Sequence, residues 1–241
     1  MTNQFSNKST VQEIKERFDH DVERFSNLDT GHQTTIDATL NMDLIIDSIV
    51  ALSPNLKTVL DVGCGAGNYT LKLLSKKAPL ACTLVDLSLP MLERAKERIK
   101  KVNNGKVTLI HEDIRTAALE ENFYCTIMAS AVLHHLRDDQ DWEEVFFKLY
   151  RALKPGGSLW ISDLVVQENT ALQQLIYNER YGNYLTSLKN VQYRDSVFDY
   201  IEKEDSPRSL NYQMKLLEKV GFKHIELLHK NLCFASFGAI K

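Results

Sequence analysis

The sequence predicts an α/β fold, a parallel sheet with helices on both faces. Three observations predict it. Short apolar runs alternate with helical patterns between residues 58 and 162, the glycine loop LDVGCGAGNYT follows the first of those runs, and the chain ends in two strand-like segments. Strands joined by crossover helices must be parallel, because a tight turn can only reverse the chain, and right-handed crossovers then cover both faces of the sheet.

Each element has its own signal. From Val11 the spacing of Ile14, Phe18, Val22 and Phe25 predicts one helix with a single apolar face, and Met42, Ile45, Ile49 and Leu52 predict a second over Leu40 to Leu52, ended by Ser53-Pro54-Asn55. Strands are predicted at Thr58–Val62, Leu80–Asp86, Val107–His111, Tyr124–Ser130 and Ser158–Ser162, with helices near Asn68–Lys77, Pro90–Val102 and Asp139–Leu153 between them. Ser206-Pro207 reads as a helix start and Gly221 as its end; strands Lys223–Leu228 and Leu232–Ala239 follow, reversed at Lys230-Asn231. The stretch from Leu164 to Asp205 is too long for an ordinary crossover and is expected to cap the carboxyl edge of the sheet. The organisation expected is an N-terminal helical cap segment over 1–56 and a core over 57–241, with the cap insert at about 164–205.

Composition narrows the function classes. The 241 residues suffice for one large domain, and 44% hydrophobic with 25% charged residues is ordinary globular composition. A net charge of -3, without a long Lys/Arg block, disfavours nucleic acid as a partner. The N-terminus MTNQFSNKSTVQE has no apolar core of a signal peptide, and no apolar run is long enough for a membrane span, so a cytoplasmic location is expected. Cys64, Cys82, Cys125 and Cys233 form no CxxC pair, so neither a zinc site nor a disulfide scaffold is expected, and no metal is assigned.

The glycine loop carries the first functional argument. In an open parallel sheet ligands bind beyond the carboxyl ends of the strands, and glycine at Gly63, Gly65 and Gly67 lets a ligand approach bare main chain there. The third glycine of a dinucleotide fingerprint is replaced by Asn68, and GxxxxGK[ST] is absent from the chain, so neither a nicotinamide cofactor nor a P-loop nucleotide is indicated. Asp61, just before the loop, suits a ligand with an amino group or positive charge better than a diphosphate.

From Val59 to Asp163 the chain resembles the class I S-adenosylmethionine-dependent methyltransferases. VLDVGCGAG is similar to that family's glycine loop, TLVDLS to its second motif, LIHEDI to its third, IMASAVLHHL to its fourth and LKPGGSLWISD to its turn into the fifth strand. The resemblance implies a Rossmann-like seven-stranded sheet of order 3-2-1-4-5-7-6 with strand 7 antiparallel, and S-adenosyl-L-methionine as cofactor. It further implies that Asp86 holds the ribose hydroxyls, that Asp113 with the Ile114 amide reads the adenine, and that Leu87 and Ser130 are cofactor contacts. A carboxylate facing a vicinal diol about twenty residues past the loop agrees with this.

The acceptor is less legible. A sulfonium makes its methyl group electrophilic, so such enzymes chiefly align a nucleophile, and their catalytic groups differ. His134 and His135 follow the fourth strand and are the catalytic candidates, His134 preferred as a proton acceptor. The segments ERFDHDVERFSNLDTGHQ and LIYNERYGNYL are expected to cover the substrate, with Tyr177, Arg180 and Tyr181 as contacts. The C-terminal region also resembles carboxy-S-adenosylmethionine synthases, in which a basic residue holds the added carboxylate; Arg194 is the nearest counterpart, although GCGAG departs from that subfamily's loop. The expected function is methyl transfer to a small-molecule acceptor, the alternatives being carboxy-S-adenosylmethionine synthase-like chemistry and a non-catalytic cofactor-binding module. The oligomeric state, a homodimer included, is left open.

Overall fold

The computed structural model describes residues 5, 7–27, 31 and 33–241. His32, in the segment ERFDHDVERFSNLDTGHQ expected to cover the substrate, lies outside them.

The chain runs α1 (Val11–His20), α2 (Val22–Ser26), α3 (Ala38–Leu52), β1 (Thr58–Val62), α4 (Asn68–Leu74), β2 (Ala81–Val85), α5 (Leu89–Lys100), β3 (Val107–Ile110) and β4 (Tyr124–Ser130). After a 3-10 turn at Leu133–His135 come α6 (Asp139–Ala152), β5 (Leu153–Leu164), α7 (Thr170–Gln173), a π-helix (Gln174–Tyr181), α8 (Gly182–Leu188), α9 (Val191–Glu204), α10 (Leu210–Val220), β6 (Lys223–Asn231) and β7 (Phe234–Ile240). The strands form a seven-stranded sheet of order β3-β2-β1-β4-β5-β7-β6. β7 runs antiparallel to both β5 and β6, and the remaining pairs are parallel.

Alternation along the central strands splits the core into two layers. Val59, Met128 and Trp160 face a layer built by α3, α4 and α5, where Ile45, Ile49, Leu92 and Ile99 pack; Leu60, Ile127 and Ile161 face a second layer built by α6 and α10. Trp142 and Phe146 of α6 are completely buried in the second layer, each contributing about 1.5–3 kcal/mol by leaving water. A third cluster, centred on Tyr181, Leu185 and Phe234, seats the insert on the end of the sheet.

Four boundaries differ from the sequence reading. The first helix breaks at Asp21, which has φ -100° and ψ 11° and donates to Phe18 O at 3.1 Å, so α2 leaves at a new angle. The last helix starts at Ser209, whose hydroxyl accepts from Tyr212 N, while Ser206 N–H donates to His134 O at 2.6 Å and keeps Ser206-Pro207 in a linker. β5 extends to Leu153 and Leu164, and the hairpin reverses at Leu232, with φ +50°, rather than at Lys230-Asn231. Within the insert, Gln174–Tyr181 is π-helical, which rotates its side chains away from an α-helical stripe.

Candidate functional site

The carboxyl ends of β1, β2 and β4 open on a cavity whose wall includes Asp61, Gly63, Gly65, Asp86, Leu87, Asp113, Ile114 and Ser130. Eight of the nine residues expected to hold the cofactor therefore converge. The loop after β1 is fastened to β2: Cys64 N–H donates to Val85 O at 3.1 Å and Gly65 N–H to Asp86 Oδ2 at 2.8 Å. The other Asp86 oxygen accepts from Ser88 N–H at 2.9 Å, so the carboxylate is held at the rim in a fixed orientation. Burial raises the Asp86 carboxyl above its ordinary value, against the pull of those two N–H groups.

The three glycines divide by what surrounds them. A Cβ on Gly63, at φ +62°, would stand 2.5 Å from Val132 Cγ2, and one on Gly67, at φ +82°, would stand 3.1 Å from Ala95 Cβ. These two are required by packing and backbone geometry, and Gly67 lies off the cavity wall, a correction to its assignment as a cofactor contact. Gly65, at φ +50°, has nothing within 4 Å of where a Cβ would point. That open space at the loop's apex is what an approaching ligand would use.

Asp61 lies at the cavity floor, 2% exposed, accepting from Thr70 Oγ1 at 2.6 Å. Burial raises its carboxyl from 3.8 to about 7, the Thr70 bonds opposing and the Asp86 charge adding to the rise. For Asp113 burial also pushes upward, but Arg115 grips the carboxylate, with Nη2 at 2.6 Å from Oδ2, and holds it below its ordinary value. These groups fit S-adenosylmethionine: an open glycine apex, an oriented carboxylate for the diol and a buried carboxyl poised to ionise beside an ammonium group.

A second chamber of about 1020 Å³ adjoins the first. The two share Phe18, Phe25, Tyr69, Ser130, Ala131 and His135, so the chamber and the cofactor cavity meet at the end of β4. Its roof comes from α1, α2 and α9 through Arg17, Arg24, Tyr193 and Tyr200. Arg17 ties the roof together, donating to both oxygens of Glu204 at 2.7 and 2.6 Å, while its guanidinium lies over the Tyr200 and Phe18 rings. Ser9 N–H donates to Lys203 O at 2.9 Å and Arg137 Nη2 to Ser9 O at 3.0 Å, so the N-terminal strap is fixed to the end of α9.

The sequence-derived substrate contacts fare unevenly. Tyr181 lines the chamber and donates to Thr34 O at 2.9 Å. Tyr177 stacks on Phe198 at 4.8 Å between ring centroids and Arg180 is exposed; neither lines either cavity. Arg194 pairs with its neighbour Asp195 on the surface and lines neither cavity, which removes it as a counterpart of the carboxylate-holding residue.

The order of preference between the histidines reverses. His134 is 6% exposed, with Nδ1 bonded to Asp163 and Nε2 3.7 Å from Asp205 Oδ1. Burial would lower its pKa, but Asp163 and Asp205 outweigh burial and raise it to about 9. That direction disfavours the ring as a proton acceptor near neutral pH. His135 borders both cavities, and its Nε2 is buried without a hydrogen-bond partner. Arg17, Phe18, Tyr200 and Asp205 went unselected in the sequence: the first two lie in the segment expected to cover the substrate, the insert carries Tyr200, and Asp205 had no local signal.

Known proteins agree with this geometry. A family model described as a methyltransferase domain matches residues 59–157. A carboxy-S-adenosyl-L-methionine synthase of Shewanella woodyi is 30% identical over 190 residues, covering 76% of this chain and 75% of that protein. An uncharacterised methyltransferase of Mycobacterium tuberculosis is 32% identical over 128 residues, covering 53% of this chain and 60% of that one. Among solved structures, a Burkholderia thailandensis 1,6-didemethyltoxoflavin-N1-methyltransferase aligns with TM-score 0.63 and 15% identity over 97% of this chain and 91% of its own. A Haemonchus contortus phosphoethanolamine N-methyltransferase in complex with S-adenosyl-L-methionine aligns with TM-score 0.53 and 23% identity over 87% of this chain and 45% of its own. With the matched family model, the relative that aligns over three quarters of both chains, and a sheet and cavity of the expected form, this chain belongs to the class I S-adenosylmethionine-dependent methyltransferases.

Proposed function

We propose that the chain methylates a small-molecule acceptor held in the chamber beneath α1, α2 and α9. The observation that supports this is the common lining of the two cavities at the end of β4, which suits an acceptor beside the cofactor. The chamber's size is that of a small-molecule site. The Burkholderia thailandensis neighbour, crystallised with 1,6-didemethyltoxoflavin and S-adenosylhomocysteine, supports an acceptor of that class.

S-adenosylmethionine, when bound, supplies an electrophilic methyl group on a sulfonium. Asp86 orients the sugar, Asp61 offers charge to the amino group, and Asp113 with Ile114 frames the base. Phe18 and Phe25 exclude water from the shared strip, where a displacement needs only alignment and desolvation. His135 is the side chain that meets the acceptor, because its Nε2 has no protein partner. His134 is a positioning residue: Asp163 holds its ring and also accepts from the Leu133 and His134 amides at 2.9 and 3.2 Å, fixing the turn that carries His135. Free cysteines at Cys64, Cys82, Cys125 and Cys233 support a reducing, cytoplasmic setting; no helix among the described residues is long and apolar enough to cross a membrane.

Calorimetry with S-adenosylhomocysteine, followed by incubation of the protein with methyl-labelled cofactor and a small-molecule extract, tests the proposal. Binding and label in a low-molecular-mass product are expected; no binding at millimolar ligand would defeat it. The second reading, carboxy-S-adenosylmethionine synthesis, draws on the relatives of that name. Mass spectrometry of cofactor that co-purifies would show an added carboxylate if it holds.

A further inference from the structure

Beside the shared strip, His134, His135 and Asp205 bring three ligating side chains together, their donor atoms all within 4.8 Å of one another. The 3-10 turn supplies both imidazoles and the end of α9 supplies the carboxylate. Asp205 Oδ1 lies 3.3 Å from His135 Nδ1 and 3.7 Å from His134 Nε2. Ligand atoms bound to one zinc-like ion at about 2.0–2.2 Å stand roughly 3–3.5 Å apart, close to the two separations from Asp205.

Two further observations point to a ligand. Asp205 is 4% exposed, and its Oδ1 has no hydrogen-bond partner, with the two imidazoles at 3.3 and 3.7 Å as its near neighbours. A buried carboxylate oxygen left so is costly unless something else is meant to meet it. His134 Nδ1 is already bonded to Asp163, the arrangement in which a carboxylate fixes a ligating histidine's tautomer and turns its Nε2 toward a metal.

The geometry points to a divalent-cation site of two histidines and one aspartate, His134 Nε2, His135 Nδ1 and Asp205 Oδ1, open toward the acceptor chamber. Imidazole and carboxylate ligands suit zinc, iron(II) or cobalt(II). The remaining positions of the cation face the chamber that His134, His135 and Asp205 line. This inference rests on the methyltransferase reading and narrows it to oxygen-bearing acceptors such as enols or phenols. Bound to the cation, the acceptor's O–H gives its proton to chamber water, and the resulting oxyanion is the nucleophile that forms the new C–O bond as the cofactor's C–S bond breaks.

The test uses the full chain, freed of metal with a chelator and titrated with cobalt(II) chloride. A visible d–d absorption band saturating near one equivalent is expected, and Asp205→Asn should weaken cobalt binding by about tenfold or more. Wild-type protein with no band at millimolar cobalt, or a band of equal affinity in Asp205→Asn, would overturn the site. S-adenosylhomocysteine calorimetry on the same samples separates the two readings. Cofactor binding without cobalt binding removes the metal site and leaves methyl transfer standing. Cobalt binding without cofactor binding removes the proposed function and leaves the site.

Discussion

The cofactor cavity and the acceptor chamber share a wall but are built in opposite ways. The first is made chiefly by loops that leave adjacent strands of one sheet, and its carboxylates are fixed by groups close by in the chain, Asp86 by the Gly65 and Ser88 amides, Asp61 by Thr70 and Asp113 by Arg115. The second is roofed by segments far apart in the chain, joined through side chains such as Arg17 and Glu204. A site anchored to a sheet inherits the sheet's rigidity; one roofed by helices depends on a few bonds across its seam.

The sharpest way to break this contrast lies in the glycine loop. Gly63→Val should destabilise the whole domain by about 3–5 kcal/mol, read as a large fall in Tm, because its side chain would collide with Val132 at a positive φ. Gly65→Ala should cost about 1 kcal/mol of stability while weakening cofactor binding in calorimetry, since its methyl would enter open space. If both variants lost stability equally, the division between packing and ligand glycines would be wrong.

Next in size, Asp86→Ala should reduce S-adenosylhomocysteine affinity by about 10- to 100-fold, the loss of charge-assisted hydrogen bonds worth roughly 1.5–3 kcal/mol. Unchanged affinity would remove Asp86 from its role. Asp61 then gives a pH signature. Its folded value of about 7 exceeds the ordinary 3.8, so the protein without ligand is favoured by the bound proton and loses that contribution as pH rises from about 4 to about 7. A ligand ammonium prefers the ionised form. Cofactor affinity should therefore rise with pH, by up to about tenfold per unit, and level off above about 7; Asp61→Asn should flatten the profile. The smallest effect is expected at Arg194→Ala, within about 0.5 kcal/mol in stability and without change in cofactor affinity, because its ion pair is exposed. A specific loss of turnover there would return Arg194 to the acceptor site.

The same contrast explains what could be read from the sequence. Strand order, both core layers and the cofactor wall follow from patterns local to each strand and the loop after it, so Asp61, Asp86, Asp113 and Ser130 were found where they were expected. Gly67 packs on Ala95 and does not line the cavity, and a glycine that clears a side chain looks in sequence like one that clears a ligand. The acceptor side was obscured by tertiary choices. A π-helical turn carried Tyr177 onto Phe198, and Asp205 became important only when the end of α9 came to rest against a turn seventy residues earlier. His134 and His135 are adjacent in sequence, and only Asp163 across the sheet distinguishes them.

Phe18 and Phe25 are party walls, each residue lining both cavities. On the proposed function, displacing either residue disturbs both cavities together. A compound wedged beneath those rings would accordingly trap the bystander too, visible in stopped-flow as a slowed off-rate for S-adenosylhomocysteine.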